Sequence, residues 1–403
     1  MAYDASSQPK SPVGSSSPPL PPPRPREGLT LDTLYRAFRS TALNPLVTGP
    51  LLVCLLRYPA PTARFCRRLS GAPLLRLLLS WVPLGSSGLP HRLLRRVLPG
   101  GGIRVVKTLF ACGLLRVANN WFGRRSVNNW VDDVYDWDKE IVVVTGGSGC
   151  IGGLVVRDLA CRGITVLVLD LTPPREALPA NVHFYALDVS DAEQIQQVGA
   201  RIRAEHGDPT VLINSAAATT PAVAIVDKAA GALQRSWAVN VQAHFLLARE
   251  FVPALARRDH GHVVSVGSLA AFNAAVLLVD YCAAKAALVA FHEGLAAELR
   301  CLHAAPRVRT SLVLPGWIRS PLIAPLRRSP RFRQHLLRPE TVADAIVARV
   351  LSGEGAQLVL PRRHALLSLL RGLPEWVGYA IRRHLAAHLI PPPQPPAAEG
   401  ASS

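Results

Sequence analysis

The sequence predicts an α/β fold, a doubly wound parallel sheet with helices on both faces, preceded by a basic, hydrophobic helical N-terminal region. Two observations carry this prediction. Short β-branched runs such as IVVVT, ITVLVLD and HVVSV alternate with segments of helical length over residues 136–362, as buried parallel strands and their crossover helices do. Before them, residues 29–135 hold leucine-rich runs interleaved with arginine. A chain of 403 residues has room for one large domain with extensions.

The outer segments differ in composition from this centre. Residues 1–28 and 391–403 are rich in Ser or Pro, and we expect both to be disordered tails. We assign residues 29–135 to a membrane-associated region, 136–362 to a catalytic domain and 363–390 to an amphipathic C-terminal helix. That helix either faces a membrane or a ligand entrance, or packs on the domain or on a partner subunit.

The positive charge is concentrated in the N-terminal region. The formal net charge is +18, and between Asp32 and Asp132 there are fifteen Arg or Lys and no acidic residue. Basic residues alternating with Leu, Val and Trp suit an anionic lipid surface. No motif that reads nucleic acid accompanies them, so we expect no nucleic-acid partner.

One uncharged run in this region is near the length of a membrane span. Residues 40–56 are seventeen uncharged residues interrupted by two prolines, at the lower limit for crossing a bilayer. We therefore expect short interfacial or re-entrant helices. The alternative is a helical subdomain packed on the catalytic domain.

The cysteines argue against both disulfides and a metal site. Seven cysteines, an odd number, are scattered without CxxC or other metal-ligand spacing. We therefore expect no bound metal, no disulfide framework and a reducing compartment.

A glycine-rich turn follows the first buried strand, in IVVVTGGSGCIGG. Backbone N–H groups and the N-terminus of the next helix can hold a pyrophosphate there. Asp170 ends the following strand, eighteen residues after Gly152, where a carboxylate can accept hydrogen bonds from both ribose hydroxyls of a dinucleotide. This carboxylate would repel a 2′-phosphate, so we expect NAD as the cofactor, with NADP left open. The alternative is that Asp170 only caps a helix.

The stretch VVSVGSLAAFNAAVLLVDYCAAKAALVAF carries the chemistry. It places Ser268 after a buried strand, Tyr281 thirteen residues later and Lys285 four residues beyond. Positions i and i+4 share one face of a helix, and a nearby ammonium favours the phenolate, which lowers a tyrosine pKa from about 10. Such a phenol can exchange a proton with an alcohol or a carbonyl. The alternative is a buried tyrosine beside an incidental lysine, although the chain has only five Lys against forty Arg.

These motifs resemble the short-chain dehydrogenase/reductase superfamily over nearly all of residues 140–320. Its turn reads TGxxxGxG, which Thr145, Gly146 and Gly152 match while Cys150 replaces the middle glycine. We expect Cys150 to weaken cofactor binding. The resemblance implies a Rossmann-type domain with a catalytic tetrad in which Ser268 orients the substrate oxygen and Asn240 supports a water chain to the lysine.

The resemblance also implies a set of cofactor contacts along the carboxyl ends of the strands. The tetrad is Asn240, Ser268, Tyr281 and Lys285. The implied cofactor contacts are Thr145, Gly146, Ser148, Cys150, Ile151, Gly152, Asp170, Asp188, Val189, Asn214, Ala216, Tyr281, Lys285, Pro315, Gly316 and Ile318. Ser215, Ala217 and Ser320 depart from the family pattern.

The hydrophobic N-terminal extension, leading through NNWVDDVYDWDKE into TGGSG, is similar to the membrane- or lipid-droplet-associated branch with retinol and hydroxysteroid dehydrogenases. This implies hydride transfer between NAD(H) and a lipophilic alcohol or ketone at the endoplasmic reticulum or a lipid droplet, with the catalytic domain in the cytosol. A homodimer is compatible with it. Two alternatives stay open: a catalytically impaired membrane-associated scaffold that retains the fold, and a cofactor-retaining epimerase or lyase.

Overall fold

The chain divides into two compact units. The computed structural model describes residues 26–27, 30–58, 101–320, 323 and 334–387. One unit comprises Leu29–Gly123, and the other comprises Met1–Gly28 with Arg124–Ser403. The tail predicted at 391–403, nearly all of that predicted at 1–28, and most of residues 320–339 lie outside the described residues.

A parallel sheet forms the centre of the larger unit and confirms the predicted α/β fold class. Within the described chain it has seven strands in the order β3-β2-β1-β4-β5-β6-β7, all paired in parallel. The strands are β1 (Ile141–Thr145), β2 (Thr165–Asp170), β3 (Val182–Ala186), β4 (Val211–Asn214), β5 (His262–Val266), β6 (Arg309–Pro315) and β7 (Ala356–Leu360). The order reverses between β1 and β4, and ligands of such sheets bind outside the carboxyl ends of the strands at this point.

Helices cover both faces of the sheet. In the larger unit they are α4 (Gly152–Cys161), α5 (Ala192–His206), α6 (Ala230–Trp237), α7 (Ala243–Arg258), α8 (Val279–Cys301), α9 (Pro339–Leu351) and α10 (Glu375–Ala387). Successive strand residues point to opposite faces, so Val142 and Val144 join one apolar core while Val143 joins the other. A π-helical turn at Ala238–Gln242 joins α6 to α7. Within the segment predicted as a C-terminal helix, a 3₁₀ run at Arg362–Gly372 precedes α10.

The smaller unit is helical, with α1 (Leu31–Ser40), α2 (Pro45–Arg57) and most of α3 (Gly101–Val127). Asn44 caps α2 by accepting a hydrogen bond from the Leu46 amide. A Cβ added at Gly49 would lie 3.2 Å from the Phe110 ring, so the missing side chain lets α2 approach α3. Among the described residues no single helix is long and apolar enough to cross a bilayer, while Asp32–Ser40 and α2 together meet that test as a pair bent by 49°.

The polar segment that precedes β1 belongs to the sheet unit. The catalytic domain was predicted from residue 136, and the compact unit that contains the sheet includes the chain from Arg124 onward. The Asn128 side chain accepts a hydrogen bond from the Gly355 amide at 2.8 Å. The buried Arg309 guanidinium donates to the carbonyls of Asn128 at 2.9 Å and Val131 at 2.6 Å. These contacts tie the segment to β6 and to the turn before β7.

His260 makes a second anchor, and it predicts a pH-dependent stability. Its Nδ1 lies 2.9 Å from Asp133 Oδ2 and its Nε2 3.2 Å from Glu140 Oε1. These hydrogen bonds, Asp133 first, raise the pKa of His260 to about 9. Because the folded pKa lies above the ordinary value of about 6.5, the stabilisation is complete below pH 6.5 and is lost as the pH rises through 9.

We therefore expect the free energy of unfolding to fall by up to about 3 kcal/mol between pH 6.5 and 9.5 through His260. Urea denaturation of the wild type and of His260→Gln across this range measures the effect. The difference between the two curves isolates His260 from other titrating groups. Parallel curves would contradict the prediction.

Candidate active site

The structure brings the predicted tyrosine and lysine together beside Ser268. Tyr281 and Lys285 lie one turn apart on α8, and Lys285 Nζ is 5.6 Å from the centre of the Tyr281 ring. Ser268 follows β5 and caps the short 3₁₀ turn Leu269–Ala271. Asn240 lies in the π-helical turn, and β5 and α8 thus bring three of the four predicted tetrad residues to one edge of the sheet.

Lys285 is buried and held by the backbone of β5. The residue is 2% exposed, and its ammonium donates a hydrogen bond to the Val266 carbonyl at 3.0 Å. Burial lowers the pKa of Lys285 to about 8, because a desolvated ammonium is less stable than a hydrated one. An amine in this range can accept and release a proton near neutral pH.

The pKa of Tyr281 shifts opposite to the sequence expectation. Burial raises it to about 12, and hydrogen bonding with Ser268 offsets only part of this shift. The expected downward shift is wrong for the chain alone, because the loss of hydration dominates the pKa, while the Lys285 ammonium lies 5.6 Å from the centre of the ring. Without further positive charge, the phenol stays neutral at pH 7, which is the form that donates a proton to a carbonyl.

Ser268 and Asn240 also hold backbone around the site. The Ser268 hydroxyl accepts from the Ala270 amide at 3.1 Å and donates to the Pro315 carbonyl at 3.4 Å. The buried Asn240 amide donates to the Ala218 carbonyl at 2.8 Å and accepts from the Ala218 amide at 3.3 Å. Asn240 therefore fixes the loop after β4, in addition to the role that the resemblance implies.

The glycine turn has the close backbone packing that its sequence requires. Gly146 has a φ of 67°, and a Cβ there would lie 2.8 Å from the Ala216 nitrogen. A Cβ at Gly152 would collide with the Gly146 carbonyl. The Thr145 hydroxyl accepts hydrogen bonds from the amides of Ser215 at 3.2 Å and Ala216 at 3.3 Å. The ends of β1 and β4 are thereby joined at the switch point of the sheet.

Asp170 lies beside this turn, as predicted. Its Oδ2 accepts a hydrogen bond from the Ser148 amide at 3.0 Å, and the Ser148 hydroxyl donates to the Thr172 carbonyl at 2.6 Å. The Asp170 carboxylate is partly buried at the end of β2. A carboxylate so placed can accept hydrogen bonds from vicinal hydroxyls.

The other predicted cofactor contacts follow the carboxyl ends of the strands. Asp188 accepts hydrogen bonds from Ser190, at 2.9 Å from its amide and 2.6 Å from its hydroxyl. The Gly316 amide donates to the Leu360 carbonyl at 2.7 Å, which fixes the turn after β6. The apolar residues of this set are partly or fully buried; they are Ile151, Val189, Pro315 and Ile318.

Asn214 tests whether these residues fit a dinucleotide. It ends β4 at the switch point and is 1% exposed. Neither its Oδ1 nor its Nδ2 has a hydrogen-bond partner among the described residues. A buried amide without partners costs about 1–3 kcal/mol, so this position suits a polar group that the chain does not supply. The turn, Asp170 and Asn214 together fit an NAD(P) molecule.

Cys150, the substituted glycine, does not strain the turn. It is not among the non-glycine residues with a positive φ in the described chain, and its side chain is exposed. Burial raises the pKa of its thiol, and the Glu340 carboxylate adds to the shift, so the thiol is neutral at pH 7. The cysteine therefore presents an uncharged group at the mouth of the turn.

We expect Cys150→Gly to tighten NADH binding about threefold to tenfold, because it removes a side chain from the path of the diphosphate while the backbone keeps its conformation. Calorimetric titration with NADH measures the change. Cys161→Ala, at the exposed cysteine that ends α4, is the control and is expected to leave the affinity unchanged. Absence of any NADH or NADPH binding in both wild type and Cys150→Gly would support the scaffold alternative.

One buried ion cluster beside Tyr281 was missed in the sequence. Lys228 Nζ lies 2.6 Å from Asp280 Oδ1, and the two side chains are 1% and 7% exposed. The ammonium also donates to the Thr220 hydroxyl at 2.6 Å, which donates to Asp280 Oδ2 at 2.7 Å. The only sequence signal was that Lys228 is one of five lysines in an arginine-rich chain.

Comparison with known proteins shows which family this chain resembles in sequence. The short chain dehydrogenase family matches residues 140–331. Dehydrogenase RED2 of Cochliobolus heterostrophus is 37% identical over 209 residues, covering 51% of this chain and 78% of that protein. Estradiol 17-beta-dehydrogenase 11 of Rattus norvegicus is 30% identical over 258 residues, covering 61% and 84%. Short-chain dehydrogenase/reductase 3 of Homo sapiens is 30% identical over 250 residues, covering 60% and 81%.

The fold is also similar to that of a solved structure. A short-chain dehydrogenase from Streptomyces avermitilis superposes with a TM-score of 0.51 at 23% sequence identity, covering 63% of this chain and 97% of that one. The chain belongs to the short-chain dehydrogenase family. It is an oxidoreductase that acts on hydroxyl groups or the corresponding carbonyls, in a family that typically uses NAD(P).

Proposed function

We propose that the protein transfers a hydride between NAD(H) and a lipophilic alcohol or ketone at a membrane surface. The single observation that carries the chemistry is the pairing of Tyr281 with the buried Lys285 on one face of α8. The glycine turn and Asp170 lie on neighbouring strands of the same sheet edge, which favours a dinucleotide there.

The chain's residues would handle the proton while the bound cofactor supplies or accepts the hydride. In carbonyl reduction, the substrate carbon gains the hydride and its oxygen takes the Tyr281 hydroxyl proton. Ser268 donates a hydrogen bond to the same oxygen and holds it in line. Lys285, with its lowered pKa, returns a proton toward Tyr281. In alcohol oxidation each of these transfers runs in reverse, and one proton leaves per turnover.

Asp170 supports NAD over NADP. Its carboxylate, at the end of β2, accepts a hydrogen bond from the Ser148 amide. The 2′-phosphate of NADP, if placed beside it, would be repelled by this negative charge in a partly buried site. We expect fluorescence titration to give NADH a Kd at least about tenfold lower than NADPH. Asp170→Asn removes the charge and narrows this ratio, while the exposed Asp158→Asn, a partner of Arg162, leaves it unchanged. Equal affinities in the wild type would overturn the assignment.

Exposed apolar side chains support a lipid-facing N-terminal unit. On α2, Leu46 is 84% exposed, and on α3, Leu115 is 71% exposed. Basic residues lie on the same helices, and neither helix contains an acidic residue. Apolar side chains with interleaved cations bind anionic lipid surfaces. This basic and apolar surface supports a location at the cytosolic face of the endoplasmic reticulum or at a lipid droplet.

Vesicle flotation tests this surface. Full-length protein is expected to float with vesicles containing anionic phospholipid and less with neutral ones. A variant with Leu46→Glu and Leu115→Glu loses flotation, whereas Leu302→Glu, a matched exposed leucine that follows α8, retains it. Equal flotation of all three proteins would count against the N-terminal unit as the anchor.

A lipophilic substrate fits the loop that the buried ion cluster holds. Asp280, at the start of α8 next to Tyr281, accepts a hydrogen bond from Thr220, and this contact holds the loop that runs from Thr220 to Lys228. Two apolar side chains of that loop are exposed, those of Ile225 and Val226. An NADH-fluorescence screen of retinoids, steroids and long-chain alcohols tests the class. Turnover confined to short polar alcohols would contradict it, and epimerisation or lyase turnover without net NADH change would favour the cofactor-retaining alternative.

A further inference from the structure

A second group of buried polar side chains lies behind the tyrosine and lysine. His244 is one helical turn beyond Asn240, and His292 is two turns beyond Lys285 on α8. Ser265 lies on β5, and its hydroxyl is on the face of the sheet that His244 contacts. All five side chains are buried. Their spacing places Asn240 with His244, and Lys285 with His292, on matching helix faces.

The contacts of the two imidazoles differ. His244 Nδ1 lies 3.5 Å from the Ser265 hydroxyl, and its ring packs edge-on against Phe291 with 6.0 Å between ring centres. His292 is 7% exposed, and neither of its ring nitrogens has a hydrogen-bond partner among the described residues. Lys285 and His292 both act electrostatically on His244. Ser265, which His244 contacts, is followed in β5 by Val266, whose carbonyl accepts the hydrogen bond from Lys285.

An imidazole is a poor choice for a purely structural position here. Each unsatisfied buried donor or acceptor costs about 1–3 kcal/mol, and an apolar side chain of similar size removes that cost. Water bridging the two rings would satisfy the free nitrogens, since buried waters make about three hydrogen bonds to such groups. No hydrogen bond among the described residues accounts for His292, and an imidazole with one free donor and one free acceptor can pass on a proton.

Neutral imidazoles suit proton transfer along a chain. Burial, followed by the charge of Lys285, lowers the pKa of His244 to about 3, and burial lowers the pKa of His292 to about 4. A neutral imidazole has one nitrogen that accepts and one that donates. It can take a proton at the first as it releases the proton at the second, so no charged ring accumulates. His262 of β5 lies on the opposite face of the sheet from Ser265, with its Nε2 2.8 Å from the Ser311 hydroxyl.

We propose that His244 and His292 continue the proton path of this enzyme from Lys285 through the gap between α7 and α8, with buried water bridging the rings. The proposal rests on the proposed exchange of a proton at Tyr281. In alcohol oxidation the substrate proton passes from Tyr281 to Lys285, and one proton passes along His244 and leaves beside His292. The substrate carbon is oxidised by loss of the hydride, and neither imidazole changes its charge or oxidation state overall.

His292→Leu separates a relay from a structural role. It removes the unsatisfied nitrogens, so the thermal midpoint is expected to stay constant or to rise. If the relay operates, kcat for alcohol oxidation falls about tenfold or more, while NADH affinity is unchanged and the solvent deuterium isotope effect on kcat increases. Phe291→Leu, a neighbour that packs on His244 without a polar atom, is the control and is expected to keep the wild-type isotope effect.

Two further variants guard against misfolding as an explanation. His244→Phe breaks the path at its centre and is expected to change the isotope effect as His292→Leu does. His292→Ala leaves space in which added imidazole is expected to recover part of kcat. If the wild type turns over but both His292→Leu and His244→Phe keep its kcat and its solvent isotope effect, the relay is overturned and the proposed function stands. Lack of NAD-dependent turnover in the wild type would instead overturn the proposed function.

Discussion

Tyr281→Phe is expected to lower kcat at least about 100-fold, because general acid–base catalysis by a positioned side chain contributes about this much or more. The substitution removes only the phenolic hydroxyl. The ring beneath Lys285 remains, so we expect the Kd for NADH to stay within about twofold of the wild type. Steady-state oxidation of a long-chain alcohol, followed by NADH absorbance, gives kcat, and fluorescence titration gives the Kd.

Tyr185→Phe is the matched control for this variant. Tyr185 is a buried tyrosine whose hydroxyl donates to Glu205 at 2.6 Å, and it lies on β3 away from the tetrad. Its loss is expected to leave kcat unchanged. Substantial turnover by Tyr281→Phe would refute the assignment of the phenol as the proton-exchanging group, whatever the effect on binding.

Lys228→Met is expected to destabilise the protein by about 3–5 kcal/mol, because it leaves the buried Asp280 carboxylate without its partner. Met has nearly the length of Lys, so little volume is lost and the change isolates the charge. Urea denaturation measures the free energy of unfolding, and the loss is expected to be smaller at low pH, where the carboxylate can take up a proton.

A double substitution provides the decisive comparison. Replacing both partners, Lys228→Met with Asp280→Leu, removes the unpaired charge, and we expect the double variant to be more stable than Lys228→Met alone. The exposed pair Arg201 and Glu205, joined at 2.6 Å on α5, is the control; Arg201→Met should cost little, because solvent screens an exposed ion pair. A cost for Lys228→Met no greater than that of Arg201→Met would show that the buried pair contributes little.

Much of the catalytic unit could be predicted because its signals are local in sequence. A β-branched run followed directly by glycines gives β1, the turn and α4, and the spacing of four residues puts Tyr281 and Lys285 on one helix face. The position of Asp170 beside the turn follows from parallel strands ending at one edge. Each of these inferences needs only the periods of helices and strands.

The remaining features depend on contacts between distant segments. Lys228 lies in the loop before α6 and Asp280 in the first turn of α8, and no periodicity relates them. The start of the unit at Arg124 depends on Arg309, which binds the carbonyls of Asn128 and Val131 across the chain. The direction of the Tyr281 pKa shift depends on how far burial outweighs the hydrogen bond with Ser268, and only the packed site determines that balance.

Asn240 pairs with Ala218 through the same donor and acceptor that a peptide group offers to a neighbouring strand. The side chain takes the place of a backbone pairing between strands, and it joins the π-helical turn to the loop after β4. A ligand that orders either the turn or the loop would therefore also order the other. The spacing between these two segments thus depends on the Asn240 carboxamide.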